Sequence, residues 1–154
     1  MALEIERKFL VKGNGYLGEC QKSTHILQAY LSINPDSTVR IRIIDGCAAS
    51  ITIKSKNHGA KRHEWEYKIP VADAKQMLEN CAVTPLIDKT RYVCGRWEVD
   101  CFSGHLSGLT VAEIELHDEN EDFDMPGWIG KEVTGDKRYY NSMLATCPEI
   151  PPVE

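Results

Sequence analysis

The sequence predicts an α+β domain, mainly β, with eight antiparallel strands and a few flanking helices. Three observations carry this reading. Apolar and polar residues alternate at period two along most of the chain, turn residues punctuate the alternation, and charges of like sign recur on single strand faces. At 154 residues the chain suits one domain with a substantial core. That domain is assigned to residues 1–147, and the Pro-rich stretch 148–154 reads as a mobile tail.

The strands are expected at 3–11, 24–33, 38–45, 48–56, 62–69, 87–94, 96–102 and 109–117. They are separated by turn signals such as Asn34-Pro35-Asp36, Asp45-Gly46, Asn57-His58-Gly59 and Ser103-Gly104. Asp45-Gly46, set between two alternating runs, is a hairpin signal. Segment 13–22 contains glycines and reads as a loop or a short helical turn. After Pro70, residues Ala74, Met77, Leu78 and Cys81 make an i, i+3, i+4, i+7 apolar face, which predicts a helix. A second helix is expected through Met143, Leu144 and Ala145, capped by Thr134 or Asp136 and stopped by Pro148.

Composition narrows the function classes. Hydrophobic residues at 42% and charged residues at 27% are ordinary for a soluble domain. A net charge of −5 argues against nucleic-acid binding through a broadly basic surface. No apolar run approaches membrane-spanning length and the N-terminus lacks a signal-peptide core, so no membrane partner is expected and the cytoplasm is the expected compartment. The six cysteines form no C-x-x-C pair and no zinc-like spacing with histidine; they read as reduced thiols, several of them packing as small hydrophobes. The five histidines likewise show no metal spacing.

The charged faces are the informative feature. Glu4, Glu6 and Lys8 alternate with Ile5, Arg7 and Phe9, so they share one face of a strand. Arg40 and Arg42 share another, as do Lys54 and Lys56; Glu64, Glu66 and Lys68; Lys89 and Arg91; Glu98 and Asp100; Glu113 and Glu115. In an open sheet these faces would meet water, but surfaces usually intersperse signs rather than sort them by strand. The alternative is a closed antiparallel barrel with the charges inward. Unpaired buried charge costs several kcal/mol per group, roughly, so such a lumen must hold water or compensating ions. Arginine and lysine donors match phosphate oxygens, and carboxylates are hard ligands for Mg²⁺ or Mn²⁺. Together these faces describe a site for a metal–polyphosphate complex.

The stretch Glu4-Ile5-Glu6-Arg7-Lys8 resembles the E-x-E-x-K signature of the CYTH superfamily, the triphosphate tunnel metalloenzymes. The resemblance continues through Arg40-Ile41-Arg42, Ile53-Lys54-Ser55, Glu64-Trp65-Glu66, Lys89-Thr90-Arg91-Tyr92, Trp97-Glu98-Val99-Asp100, Glu113-Ile114-Glu115, Lys131-Glu132-Val133-Thr134 and Asp136-Lys137-Arg138-Tyr139, ending at Tyr140 and Asn141. It covers roughly residues 3 to 141, and the ordered series is far more specific than one E-x-E-x-K. The resemblance implies an eight-stranded antiparallel tunnel that binds a triphosphate compound with divalent cations. The short chain is most similar to a bacterial branch in which inorganic tripolyphosphatase activity is the leading expectation.

By the same resemblance, Glu4, Glu6, Glu113 and Glu115 are the expected metal ligands, and Glu66, Glu98 and Asp100 hold a second ion or pair with the basic residues. Lys8, Arg40, Arg42, Lys54, Lys89 and Arg91 are expected to grip phosphates, with Lys54 and Lys89 as a catalytic pair and Lys89 its base. Simple phosphate binding is the competing role for both. Arg138 and Lys137 fall where the family places a C-terminal helix near the tunnel mouth. Lys56 and Lys68 read as charge balance, Tyr30 as a lumen-facing or packed ring, and Trp65 and Trp97 as pointing outward. The competing functions are a class IV-type adenylate cyclase, a thiamine or nucleoside triphosphatase, and a non-catalytic polyphosphate-binding module. Strand faces that two helices leave uncovered point to a homodimer.

Overall fold

A strand with one charged and one apolar face leaves a flat sheet with one face misplaced; here the sheet curls until its ends meet. In the computed structural model, which describes residues 2–152, the strands are β1 (Ala2–Val11), β2 (Lys22–Asn34), β3 (Ser37–Ile44), β4 (Ala48–Ser55), β5 (Lys61–Ile69), β6 (Ile87–Cys94), β7 (Trp97–Phe102) and β8 (Thr110–Glu115). They run antiparallel in the order β5-β4-β3-β2-β6-β7-β8-β1, and β1 pairs back onto β5 to close an eight-stranded barrel. The closing pairs are Ala2 with Glu64, Leu3 with His63, Glu4 with Arg62 and Ile5 with Lys61.

Local chemistry sets the corners. The β3–β4 hairpin turns through Asp45 and Gly46, both at positive φ (51° and 68°), with the Cys47 N–H donating to Ile44 O at 3.0 Å. Two positive φ values match the right-handed twist of the flanking strands, which is why Asp-Gly suits the position. Between β2 and β3, Asn34 Oδ1 accepts from the Asp36 N–H at 2.9 Å, an Asx turn around Pro35.

The apolar outer faces are covered in two places. Helix α1 (Val71–Cys81) lays Val71, Ala74, Met77 and Leu78 on Ile41, Ile43, Ala49 and Ile51 of β3 and β4. Cys81, expected on that face, is exposed, because the stripe drifts towards Val71 at the helix start. On the opposite side, Phe9, Trp97, Val99, Ala112 and Ile114 of β1, β7 and β8 pack under Tyr16 and Trp128. Tyr16 belongs to a one-turn 3₁₀ helix, Gly15–Gly18, within the segment expected to be loop or helical turn. Edge-to-face ring pairs (Trp97 with Phe9, Trp128 and Phe123) knit this cover.

One end of the barrel interior is apolar. Ile87, Phe102 and Val111, on the inward faces of β6, β7 and β8, meet Tyr139, Leu144 and Ala145 of the C-terminal segment. That segment is a 3₁₀ turn, Lys137–Tyr139, then the short helix α2 (Asn141–Leu144). Asp136 caps the turn by accepting from the Arg138 N–H. Thr134, the other cap candidate, instead has its Oγ1 accept from the Lys8 N–H at 2.9 Å, tying the chain to β1.

Three expectations need correction. A ninth strand, β9 (Ile129–Glu132), pairs with β1 at Phe9 and Val11, beyond the stretch that β5 occupies. Four residues are too few for alternation to register. Gly130 permits the approach: a Cβ there would stand 3.0 Å from Leu10 O. Lys56 lies past the end of β4 and is exposed rather than on a strand face. The 148–152 stretch is docked, with Ile150 against the apolar plug and Pro151 buried, so it is not a free tail. Met1 of the expected domain and residues 153–154 of the expected tail lie outside the described residues. Among the described residues no helix is long and apolar enough to cross a membrane.

The plug gives a direct test. Leu144→Ala, at a side chain 1% exposed, should lower unfolding free energy by about 2–5 kcal/mol through lost burial and a residual cavity. Its neighbour Met143, 49% exposed, should tolerate alanine within about 0.5 kcal/mol. Urea denaturation of the two variants makes the comparison.

Candidate active site

Because side chains alternate, barrel closure points the charged faces of seven strands towards one cavity of about 170 Å³, with Tyr30 the contribution of β2. Strand order sorts those charges further. Lys54 of β4, Arg40 and Arg42 of β3 and Arg91 of β6 line one half, across the consecutive strands β4-β3-β2-β6. Glu98 of β7, Glu113 and Glu115 of β8, Glu4 and Glu6 of β1, and Glu64 and Glu66 of β5 line the other. Arg62 of β5 is the exception, a cation within the acidic half. Thr38, Thr52 and Tyr30, with Tyr140, Asn141 and Ser142 from the C-terminal segment, complete the wall.

Contacts along the wall, from β3 and β4 to β5 and β1, join the two halves where they adjoin. Lys54 Nζ donates to Glu4 Oε1 at 2.9 Å and stands 3.3 Å from Glu64 Oε2. Thr52 Oγ1 accepts from Arg40 Nη2 at 3.1 Å and donates to Glu66 Oε1 at 2.8 Å, bridging cation to acid. Arg42 differs: Nε donates to Gln28 Oε1 at 2.9 Å, and among the described residues no carboxylate lies within ion-pair distance of it. Burial first, then Arg40 and Arg91, lower its value to about 9. Arg40 Nε and Gln28 Nε2 are buried without a hydrogen-bond partner. This half of the wall has donors in excess and repels itself, a condition that a bound anion relieves.

The acidic half has the converse strain. Burial and then Glu113 push Glu6 up to about 8. Burial and a hydrogen bond with Glu64 raise Glu4, and burial with Glu4 and Glu98 raises Glu115. Burial opposes ionisation of Glu113 as well, yet Lys8 with Arg91 and Lys89 hold it below the usual carboxylate range. Crowded oxygen donors that resist ionising together suit a hard divalent cation. Among the described residues no three acidic, histidine or cysteine groups stand close enough to form a finished metal site. Glu4 and Glu113 lean instead towards Lys54 and Lys8. The donor chemistry therefore fits a divalent cation, which Glu4 and Glu113 would hold only on leaving their lysine partners.

Behind the wall lies a buried ion triad. Lys89, fully buried, donates from Nζ to Asp100 Oδ2 at 2.6 Å and to Asn141 Oδ1 at 3.2 Å, with the Phe102 ring centroid 5.3 Å away. Arg91 donates to the same carboxylate from Nε at 2.7 Å and Nη2 at 2.9 Å. Burial works against the Asp100 charge, but Lys89 and Arg91 outweigh it and hold the carboxyl well below its usual range. For Lys89, burial dominates, and with Arg91 and Arg42 it lowers the amine to about 7 against the pull of Asp100.

Of the residues singled out in the sequence, Glu4, Glu6, Glu66, Glu98, Glu113, Glu115, Arg40, Arg42, Lys54 and Arg91 are brought together in the wall. Lys8 stands beside it in a smaller adjoining pocket, held between Glu113 at 3.5 Å and Tyr139 O at 3.0 Å. Asp100, expected to hold a second ion or to pair with the basic residues, takes the second course: both its oxygens are engaged by Lys89 and Arg91 below the wall. Arg138 does not line the cavity; it pairs with Asp136 and lies over the Tyr139 ring. Lys68 is exposed. Trp97 and Trp65 point outward as expected, Trp97 into the outer core and Trp65 stacked on His63. Sequence reasoning passed over Arg62, although it shares the parity of Glu64 and Glu66. It also left Thr38, Thr52 and Ser142 aside, whose small polar side chains carry no charge signal.

Comparison with known proteins follows the same lines. Residues 2–143 match the family model described as CYTH domain. An inorganic triphosphatase of Acetivibrio thermocellus is 43% identical over 152 residues, covering 96% of each chain. An inorganic triphosphatase of Nitrosomonas europaea is 37% identical over 153 residues, covering 92% of this chain and 96% of the relative. A crystal structure of an inorganic triphosphatase superposes with a TM-score of 0.65 at 34% identity, covering 99% of both chains.

The triad separates two acids on one strand. Asp100→Asn leaves Lys89 and Arg91 without their buried counter-charge and should cost about 3–5 kcal/mol. Glu98→Gln, at a side chain 47% exposed, should cost under about 1 kcal/mol. The Asp100 contribution is complete above its unfolded value of about 4 and drains away as pH falls below it towards the depressed folded value. Denaturant titrations at pH 7 and pH 3 should therefore show the gap between wild type and Asp100→Asn narrowing by about 1 kcal/mol, the share lost over the first unit below the unfolded value.

Proposed function

The chain belongs to the CYTH family, and from that premise we propose that it hydrolyses inorganic tripolyphosphate to pyrophosphate and phosphate in the charged cavity, with Mg²⁺ or Mn²⁺. The wall itself is the observation that carries this reading. Its side chains are Glu, Arg, Lys, Thr, Tyr, Asn and Ser, and among the described residues no Trp, Phe or aliphatic side chain lines it. A small, fully ionic substrate suits such a surface, which offers a purine or thiazole ring no aromatic side chain beyond Tyr30 and Tyr140. The names of the two relatives, at 43% and 37% identity over nearly the whole chain, support the same substrate.

Each residue then has a task. Arg40, Arg42, Lys54 and Arg91 grip the phosphate chain, and Lys8 holds the end nearest the plug. Glu4, Glu6, Glu113 and Glu115 hold the cation, which supplies charge neutralisation at the phosphate oxygens when bound. Glu66 and Glu98, on the more exposed side of the wall, serve Arg40 and Arg91 or a second ion. Asp100 acts as the counter-charge that fixes Arg91. Lys54 touches the substrate directly. Lys89 stands one layer back, fully buried and bonded to Asn141 of the wall; its amine, lowered to about 7, is the general base of this reading once water reaches it past Asn141. Asn141, bonded to Lys89 and part of the wall, orients that amine. Arg138 is left as a structural partner of Asp136. The cytoplasm remains the proposed compartment, and exposed Leu3 and Tyr67 on the adjoining strands β1 and β5 support a homodimer.

Phosphate release from tripolyphosphate, ATP and thiamine triphosphate, with Mg²⁺, Mn²⁺ or EDTA, tests the reaction. Strong metal-dependent release from tripolyphosphate with little from the others is the expected outcome. Cyclic AMP from ATP would replace it with a cyclase, and tripolyphosphate binding without turnover would replace it with a binding module. Lys89→Met keeps the buried packing volume and leaves Asp100 paired with Arg91. It should lower kcat by about 100-fold or more while tripolyphosphate still binds. A near-wild-type kcat would remove Lys89 from the chemistry.

A further inference from the structure

Outside the cavity, two of the six cysteines, 74 positions apart, meet with their sulfurs at 2.9 Å: Cys20, just before β2, and Cys94, the last residue of β6. The backbone holds them there. The Gln21 N–H donates to Val93 O at 2.9 Å, and the Gly95 N–H donates to Gln21 Oε1 at 2.9 Å, pinning the residues that flank both thiols. Both sulfurs also approach one carbonyl, Tyr16 O, at 3.0 and 3.7 Å. The two are unequal in access. Cys94 is buried, 6% exposed, beneath Tyr16, Trp97 and Trp128, whereas Cys20 is partly open to solvent.

We propose that Cys20 and Cys94 are a modification site: a thiol pair that a peroxide converts into a disulfide, fastening the Tyr16 segment to the end of β6. The Cys20 thiolate attacks one peroxide oxygen, the O–O bond breaks, and hydroxide leaves as water, giving a sulfenic acid on Cys20. Cys94 loses its proton and attacks the Cys20 sulfur, expelling the second hydroxide as water. Two thiols and one hydrogen peroxide give one disulfide and two waters; each sulfur is oxidised by one electron and the peroxide is reduced by two. Burial and the Cys20 contact raise Cys94 to about 12, which assigns the first attack to Cys20. Along β6, Lys89 and Arg91 face inward, while Cys94 packs in the outer cluster. The bridge therefore strengthens the barrel's cover without entering the cavity.

The test uses the full chain, reduced, freed of reductant and exposed to hydrogen peroxide. The expected result is a loss of two hydrogen atoms in intact mass and a proteolytic fragment joining Cys20 to Cys94. Closing so long a loop should raise Tm by on the order of 10 °C, and dithiothreitol should reverse the rise. Cys20→Ser, at a partly exposed position, should show neither effect. The double variant Cys47→Ser/Cys81→Ser, which removes the two exposed thiols, should show both. A bridge to any other cysteine, over-oxidation of Cys20 with Cys94 still a free thiol, or a linked chain with unchanged Tm would each overturn the proposal.

Discussion

Closure between β1 and β5 is the constraint on which the rest depends. Four residue pairs, Ala2–Ile5 against Lys61–Glu64, join the ends of a sheet whose strands were amphipathic before they met. Once joined, the charged faces have no solvent side to escape to, and their charge must be compensated within the lumen. Glu4 sits within the closing pairs and accepts from Lys54, so the same residue completes the ring and anchors its electrostatics. The apolar faces, turned outward together, then need the covers that α1, Tyr16 and Trp128 provide.

How much of this was legible depends on what each pattern encodes. Period two encodes which way a side chain points, so the inward faces could be read residue by residue, from Glu4 and Glu6 to Glu113 and Glu115. It does not encode depth. Glu98 and Asp100 share a face and differ by one pleat, yet one borders the open cavity and the other lies in the triad beneath it. Lys89 and Arg91 divide the same way. Nor does alternation reveal neighbours: the gathering of cations on β4, β3 and β6 and of acids on β7, β8, β1 and β5, with Arg62 among the acids, follows from strand order, which local sequence does not carry. β9 was invisible because four residues containing a glycine have no period. The plug was half visible: Leu144 and Ala145 were placed in a helix, but their burial inside the barrel end depends on Ile87, Phe102 and Val111, remote in sequence.

The cavity's two halves are each uncomfortable in the same physical sense. A guanidinium group lowered to about 9 and a carboxyl raised to about 8 both report charge that the surroundings do not fully compensate. The protein supplies part of the compensation through Lys54, Thr52 and Arg62. It holds the remainder in register for ions of opposite sign, side by side. The Asp100 triad has a different character: Asp100 is satisfied by Lys89 and Arg91, and the strain falls on the buried Lys89 amine, lowered to about 7.

The apolar plug has a consequence for traffic. With Tyr139, Leu144 and Phe102 filling one end, the barrel is a blind vessel at that side rather than a conduit. On the proposed reaction, the fragment cleaved nearest the plug leaves only after whatever lies between it and the open mouth. Departure order is thereby set by architecture: the piece nearer the open mouth goes first. In such a vessel, entry and exit share one opening.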